Sequence, residues 1–500
     1  MRGHRDARSH RAARIHGAAR ISRAAVAVAV AVALLVACAG LPPKQKAVQL
    51  SDAAPLDGLS AEGGGNWPAQ EWWKRYQDST LDQLIELGGA NSPSLASAHA
   101  RYDSARQSVR LAAAESGAHL QANADADRQR LSDNGVFPPQ LLGFTWYDQY
   151  DLGLQASYTF DWWGKQRNAV EAAMDQAHAA QADRSAAALI LASSIADAYF
   201  GWQSDQNRLL LAREKEGAVE LQARVSGARV RADLDSEDEL NSMDLAVAAA
   251  REQIAMLEGS AKLRVVELAA LVGRPVSDLP RLSVKPLPEF PGALPDNVKI
   301  DLISRRADII ASRWRVEAAE RSLASARADF FPDVSVNALL GVSSIDVGKL
   351  LEYGSRVPQV SAAIHLPIFD AGRLKARYGG AQAAIDAAVS SYQDTVISAA
   401  REVATQATTR SQIEAQRAQR AKQVEAALRM KNTAAARVRQ GLSDSRSELM
   451  ATESWIDQRD GLMQLDSAAL SADIALQRAL GGGYESPRQL ARSSSTTATP

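Results

Sequence analysis

The sequence predicts a mixed α + β membrane protein. Four strands per chain enter a trimeric 12-stranded β-barrel, carried on a long α-helical barrel, and the chain is two tandem structural repeats. Three observations predict it: period-2 alternation in two pairs of segments, a long proline-free run after each pair, and residues that recur at a fixed offset.

The chain opens on a basic stretch, with seven Arg among the first 23 residues, followed by an uncharged apolar run from Ala24 to Ala37. That order reads as a signal peptide over residues 1–37. The apolar run is shorter than the ~20 residues a spanning helix needs, and no other stretch reaches that length uncharged, so no transmembrane helix is expected. Leu35-Val36-Ala37-Cys38 closes the run and resembles the lipobox of bacterial lipoproteins, in which Cys38 becomes the acylated first residue. Cys38 is the only cysteine, so no internal disulfide can form, and a covalent lipid is the one non-protein group expected. Removing seven Arg and one Asp from 57 basic and 58 acidic side chains leaves a mature chain near −7, which argues against nucleic acid as a partner.

Residues 38–80 form the lipidated N-terminal segment, 81–273 and 301–481 the two repeats, 274–300 a linker and 482–500 a tail expected to be disordered. Gly164, Val230-Arg231, Leu234 and Gly273 recur at Gly372, Val438-Arg439, Leu442 and Gly481, all at an offset of 208. Upstream, Pro93-Ser94-Leu95 and Glu115 with Leu120 correspond to Ala307-Asp308-Ile309 and Asp329 with Val334 at an offset of 214.

Strands are expected at about 118–128 and 149–160, then at 332–341 and 358–369, because apolar and polar residues alternate there almost without error. Their length suits tilted strands that cross a bilayer, apolar side chains toward lipid and polar ones toward a lumen. Trp146, Tyr147, Tyr150, Phe160, Trp162, Trp163, Phe330 and Phe331 stand at strand ends, as an aromatic girdle would. Four strands leave two open edges, which hydrocarbon does not tolerate. Two chains would give eight strands and an interior filled by side chains, whereas three give twelve and a lumen, so a homotrimer is expected.

Long helical hairpins are expected over 164–272 and 372–480, each first arm free of proline and rich in Ala, Leu, Gln, Arg and Glu. Leu189, Leu191, Ile195, Ala198, Tyr199, Leu209 and Leu211 read as packing seams. No catalytic or metal constellation stands out: after processing the histidines are His99, His119, His178 and His365, far apart, and zinc, redox, phosphate-loop and nucleophile motifs are missing.

Glu71-Trp-Trp-Lys, Asp78 with Leu81-Asp-Gln-Leu-Ile-Glu86, and Asn91-Ser-Pro93-Ser-Leu95 form one group of motifs. Phe160-Asp-Trp-Trp-Gly-Lys165, Leu366-Pro-Ile-Phe-Asp-Ala-Gly-Arg373 and Arg478-Ala-Leu-Gly-Gly-Gly-Tyr484 form another. From about Trp67 to Tyr484 the chain resembles the TolC-type outer-membrane efflux factors, in their NodT-like lipoprotein branch, with Ala307 where that family usually has proline. The resemblance implies a trimeric barrel on a periplasmic helical tunnel, with an equatorial belt from residues 39–80, 275–305 and the segment after Gly481. It implies a passive outer-membrane channel for small molecules and drugs, served by an inner-membrane pump and a periplasmic adaptor protein. Alternatives within reach are a type I protein secretion duct and a non-conducting structural lipoprotein. At the periplasmic tip, Val230, Arg231, Leu234, Val438, Arg439, Gly441 and Leu442 would dock the adaptor. Glu239, Asp238, Arg446 and Glu448 would gate the tunnel, with Arg231, Arg439 and Arg446 pairing to those carboxylates.

Overall fold

A computed structural model describes residues 50, 65–134, 138–289, 295 and 298–485. The expected signal peptide, Cys38 and the tail beyond Glu485 lie outside the described residues. Two compact units divide the described residues: one from those within 106–176 and 316–388, the other from those within 50–105, 177–315 and 389–485. Each unit draws on both sequence repeats.

The elements run α1 (Ser79–Asn91), α2 (Pro93–Glu115), β1 (His119–Arg130), β2 (Trp146–Phe160), α3 (Lys165–Val230) and α4 (Glu237–Val272). The second copy repeats them in kind and order as α5 (Val298–Arg305), α6 (Ala307–Ala328), β3 (Asp333–Ser344), β4 (Arg356–His365), α7 (Arg373–Arg439) and α8 (Ser445–Ala479). Ala307 still opens α6, since a proline there would only pre-set φ.

The first unit is built on one antiparallel sheet in the order β1-β2-β3-β4. Its rows are in phase across all four strands: Leu120, Ala156, Ala338 and Val360 share one row, and Ala122, Leu154, Leu340 and Pro358 the next. The intervening rows are polar, as in His119, Ser157, Asn337 and Ser361, with Leu339, Val357 and Ala363 as apolar exceptions. Since a one-residue slip would turn every side chain over, this phase specifies the pairing. The expected boundaries need correction at both ends. The ladder extends toward the hairpin loops, with β2 starting at Trp146 and β3 ending at Ser344. At the other end β4 stops at His365, and Leu366 to Phe369 lie outside it. Pro367, which lacks an N–H, cannot extend the ladder. Beside the strand ends Trp163 stacks on Phe331 at 4.4 Å and its indole N–H donates to the Pro332 carbonyl at 3.0 Å.

In the second unit Trp72 and Tyr76 pack with Leu81, Leu84 and Ile85 of α1 against Leu191, Ile195 and Tyr199 of α3 and Leu470 and Ile474 of α8. The expected seam residues are buried there except Leu189, which is half-buried. One window of α3 is long and apolar enough to cross a bilayer by composition, but half of it is buried in this core. Burial against protein accounts for that apolar run.

Contacts within a hairpin differ from contacts between hairpins. Leu209 and Ala212 of α3 pack on Leu257 of α4. Between α3 and α8 the apolar core around Leu191, Ile195, Leu470 and Ile474 gives way, further along, to charged contacts: Arg208 to Asp460 at 2.8 Å, Lys215 to Asp457 at 2.8 Å and Arg459 to Glu214 at 2.9 Å. Such pairs hold register at little net stability, so this charged stretch contributes less than that apolar core.

Candidate functional site at the hairpin turns

The two hairpin turns are built alike, residue for residue, at the offset of 208. In the first, the N–H groups of Asp233 and Leu234 donate to the carbonyls of Val230 (3.0 Å) and Arg229 (2.9 Å). In the second, Gly441 and Leu442 donate to Val438 (3.0 Å) and Arg437 (2.9 Å). This helix-terminating pattern needs a left-handed residue, supplied by Asp233 (φ 54) and Gly441 (φ 70). An apolar residue after such a turn often folds back as a staple, but Leu234 and Leu442 are 64% and 72% exposed. They project as apolar knobs beside Arg231 and Arg439, which form no ion pair among the described residues.

Four other charged groups tie the turns together. Arg229 grips Asp235 in a two-pronged bond, Nε to Oδ2 at 2.8 Å and Nη2 to Oδ1 at 3.1 Å. Across to the second hairpin, Arg229 Nη1 lies 3.6 Å from Asp444 Oδ2, and Arg446 Nη1 donates to Asp235 Oδ2 at 3.2 Å. Arg446 Nε also donates to Asp444 Oδ2 at 3.0 Å, while the Arg446 backbone N–H donates to Oδ1 at 3.2 Å as a helix cap. Two cations and two anions thus alternate between hairpins that belong to different sequence repeats.

Of the expected gate residues only Arg446 enters this network. Asp238, Glu239 and Glu448 form no ion pair among the described residues. Asp238 and Glu239 follow the cap Ser236, whose hydroxyl accepts the Glu239 N–H at 3.4 Å, and stand in the first turn of α4. There they complement the helix dipole. The partners actually used are Asp235 and Asp444, with Arg229, none of which the sequence singled out. Asp444 carried a signal, an acidic cap just after a turn residue; Asp235 and Arg229 carried none.

The electrostatics set a pH window. The Arg229 guanidinium bonded to Asp235 holds that carboxyl below its ordinary 3.8. The Arg446 backbone N–H, then its side chain, does the same for Asp444. A lowered folded-state pKa contributes stability above the ordinary value and loses it as pH falls through the lowered one. The network therefore stays intact throughout the neutral range. No group of three or more His, Cys, Asp or Glu that could hold a metal occurs among the described residues.

The outer membrane efflux protein family model matches residues 84–274 and 300–482. The chain is 30% identical over 452 residues to the multidrug resistance outer membrane protein MdtP of Escherichia coli (strain K12), covering 88% of this chain and 91% of that one. To the protein of the same description MdtQ, from Escherichia coli O6:H1, it is 31% identical over 458 residues, covering 88% and 94%. Among solved structures the outer-membrane channel OprN superposes with a TM-score of 0.80 at 27% identity, covering 89% of this chain and 99% of that one. The outer membrane protein VceC of Vibrio cholerae does so with a TM-score of 0.76 at 32% identity, covering 84% and 100%.

Proposed function

The chain belongs to the outer membrane efflux protein family, and from that premise we propose that three copies form the passive exit duct of a tripartite efflux system. The sheet carries the reading, with its apolar and polar faces in phase and two unpartnered edges, β1 and β4. Hydrocarbon offers nothing to bond an open edge. Closing β4 of one copy on β1 of the next removes every edge, and three copies leave room for a lumen lined by the polar rows. The helical hairpins continue the passage into the periplasm, where the exposed Leu234 and Leu442 turns meet a periplasmic adaptor. An inner-membrane pump supplies the energy. Small-molecule drugs are the cargo, in keeping with relatives described as multidrug resistance proteins. A lipid on Cys38 anchors the chain to the outer membrane.

Alternating charges at Arg229, Asp235, Asp444 and Arg446 hold the two hairpins of a copy together and keep the passage narrow at the tip. Purified protein in planar bilayers tests both parts. Wild type should conduct weakly, and Arg446→Gln with Asp235→Asn should conduct more. Absence of current in either form would overturn the duct, while equal currents would remove the gate. Wild-type conductance should stay level from neutral pH downward and rise only below the ordinary carboxylate value of 3.8. Leu442→Asp should lose crosslinking to the cognate adaptor while the trimer persists; undiminished crosslinking would end the docking role. The mass of the mature chain in the same preparation reads whether Cys38 is acylated.

A further inference from the structure

We propose that each seam between copies of the barrel binds the phosphate groups of an outer-leaflet glycolipid, through Arg356 of one copy and Arg128 and Arg130 of the next. The proposal rests on the trimeric barrel described above.

Every strand end that joins a helix lies at one end of the sheet: His119 after α2, Phe160 before α3, Asp333 after α6 and His365 before α7. The loops 131–145 and 345–355 join the opposite ends, which face outward if the helices are periplasmic. Arg128, Arg130 and Arg356 are the only lysines or arginines in the four strands, and all three stand at the loop end. The register also puts all three on the apolar face. Arg130 pairs with Trp146, Arg128 with Asp148, and Arg356 with Val342, whose row continues to Leu152 and Ala124. The lumen rows carry Asp125, Asp127, Asp151 and Asp333, with His119 and His365, and no lysine or arginine. Arginine side chains have thus been sorted to the lipid side, at the depth where headgroups lie and a charge is tolerated.

Their local geometry leaves donors outward. Arg356 lies over the Tyr353 ring at 4.6 Å and Arg128 over Trp146 at 5.9 Å. A guanidinium lying over a ring can still offer its fork of N–H donors to two phosphate oxygens. Arg356 has no carboxylate partner among the described residues. Arg128 Nε is 3.8 Å from Asp148 Oδ1, a loose contact, and Arg130 Nη2 is 3.3 Å from Asp133 Oδ2, with both arginine side chains more than half exposed.

β1 and β4 are opposite edges of one sheet, so a single chain keeps Arg356 apart from the other two. Antiparallel closure of β4 on the next copy's β1, loop ends together, gathers three guanidiniums at each seam. At the rim of a low-dielectric slab, three guanidiniums against the two carboxylates of Asp133 and Asp148 leave a net positive charge, and a phosphate between them meets it with charge-assisted bonds. The rows below, with Leu152, Val342 and Leu340, give acyl chains an apolar surface, which selects a lipid over free phosphate.

The full-length protein in detergent, its trimer mass verified in solution, is incubated with diphosphoryl lipid A, with the dephosphorylated lipid, or with inorganic phosphate, and native mass spectrometry counts what stays bound. Wild type should retain the diphosphoryl form in preference to the dephosphorylated one. Arg356→Gln should bind it roughly tenfold less tightly, a loss of the size expected for charge-assisted bonds. The triple variant Arg128→Gln, Arg130→Gln, Arg356→Gln should lose it while keeping its trimer mass and conductance. Equal retention of both lipids, equal retention by Arg356→Gln, or occupancy by inorganic phosphate with no lipid would overturn the proposal. A chain that is not trimeric would instead refute the reading beneath it.

Discussion

Replacing Asp473 by alanine is expected to destabilise the second unit by about 3–5 kcal/mol, the range for breaking a buried ion pair from one side. Asp473 sits on α8 with its side chain 0% exposed. One oxygen accepts the Tyr76 hydroxyl at 2.7 Å and lies 3.6 Å from Arg75 Nη1; the other lies 3.5 Å from Arg410 Nη1. Arg410, 7% exposed, then keeps only Glu414 at 3.1 Å. Without the carboxylate a guanidinium and a phenol are left buried with one partner fewer each, and neither can be rehydrated without opening the core. Burial, and then the Asp473 charge, raise the Tyr76 hydroxyl well above its ordinary 10.0. A raised pKa contributes below the ordinary value and is lost only as pH climbs through the raised one, so the phenol remains a donor at any physiological pH.

Thermal unfolding of the purified protein measures the loss. Asp473→Asn should cost less, because an amide oxygen can still accept from Tyr76. Asp473→Leu combined with Arg410→Met should recover much of the stability, since removing both charges removes the desolvation penalty with the attraction. A midpoint for Asp473→Ala within error of wild type would show that the cluster contributes nothing. What depends on it is the attachment of the segment Trp72–Tyr76 to the second repeat's hairpin. That attachment fixes one end of a hairpin whose other end is held by the half-buried charges of the tip.

The sheet was legible because alternation at period 2 leaves each strand one phase, and four strands agreed on it. The strand ends were not, because ladders stop where a proline or a loop stops them, as Pro367 does, and composition does not mark that residue. The hairpin turns were legible in position, because their residues recur at a constant offset and the second copy places glycine where the first has Asp233. Their charge pairing was only half legible. Arg446 was identified, but its partner Asp235 lies 211 residues away, and nothing local distinguishes that aspartate from its neighbours Asp233, Asp238 and Glu239. The expected gate acid, Glu239, rests on its position after the turn leucine, as the family resemblance implies, and with Asp238 it stands in the first turn of α4, where it complements the helix dipole. Asp473 gave a faint sign, as the one acid in the Ala- and Leu-rich end of α8, yet its partners on α7 and in the N-terminal segment appear only once the chain is folded.

The run Gly481-Gly482-Gly483 yields the second large effect, and the three positions should differ in a fixed order. All are left-handed, at φ 94, 57 and 79. A side chain at such an angle costs about 1–2 kcal/mol by itself. The surroundings then separate them. A Cβ at Gly481 would overlap the Arg305 carbonyl, and one at Gly483 would overlap the backbone of Ala69 and Gln70. Backbone on both sides cannot yield without moving α5 or the segment before Trp72. At Gly482 the obstacle is the Leu189 side-chain tip, which can change rotamer. Overpacking against rigid groups adds about 1–3 kcal/mol to the conformational cost. Gly481→Ala and Gly483→Ala should therefore each lose about 2–5 kcal/mol, and Gly482→Ala distinctly less. Folded yield and unfolding midpoint of the three single variants, prepared side by side, read the order. If Gly482→Ala proved the most damaging, Leu189 would be the rigid wall and the backbone the part that gives way. Equal and small effects at all three would mean that the segment after α8 does not thread between Arg305 and Ala69.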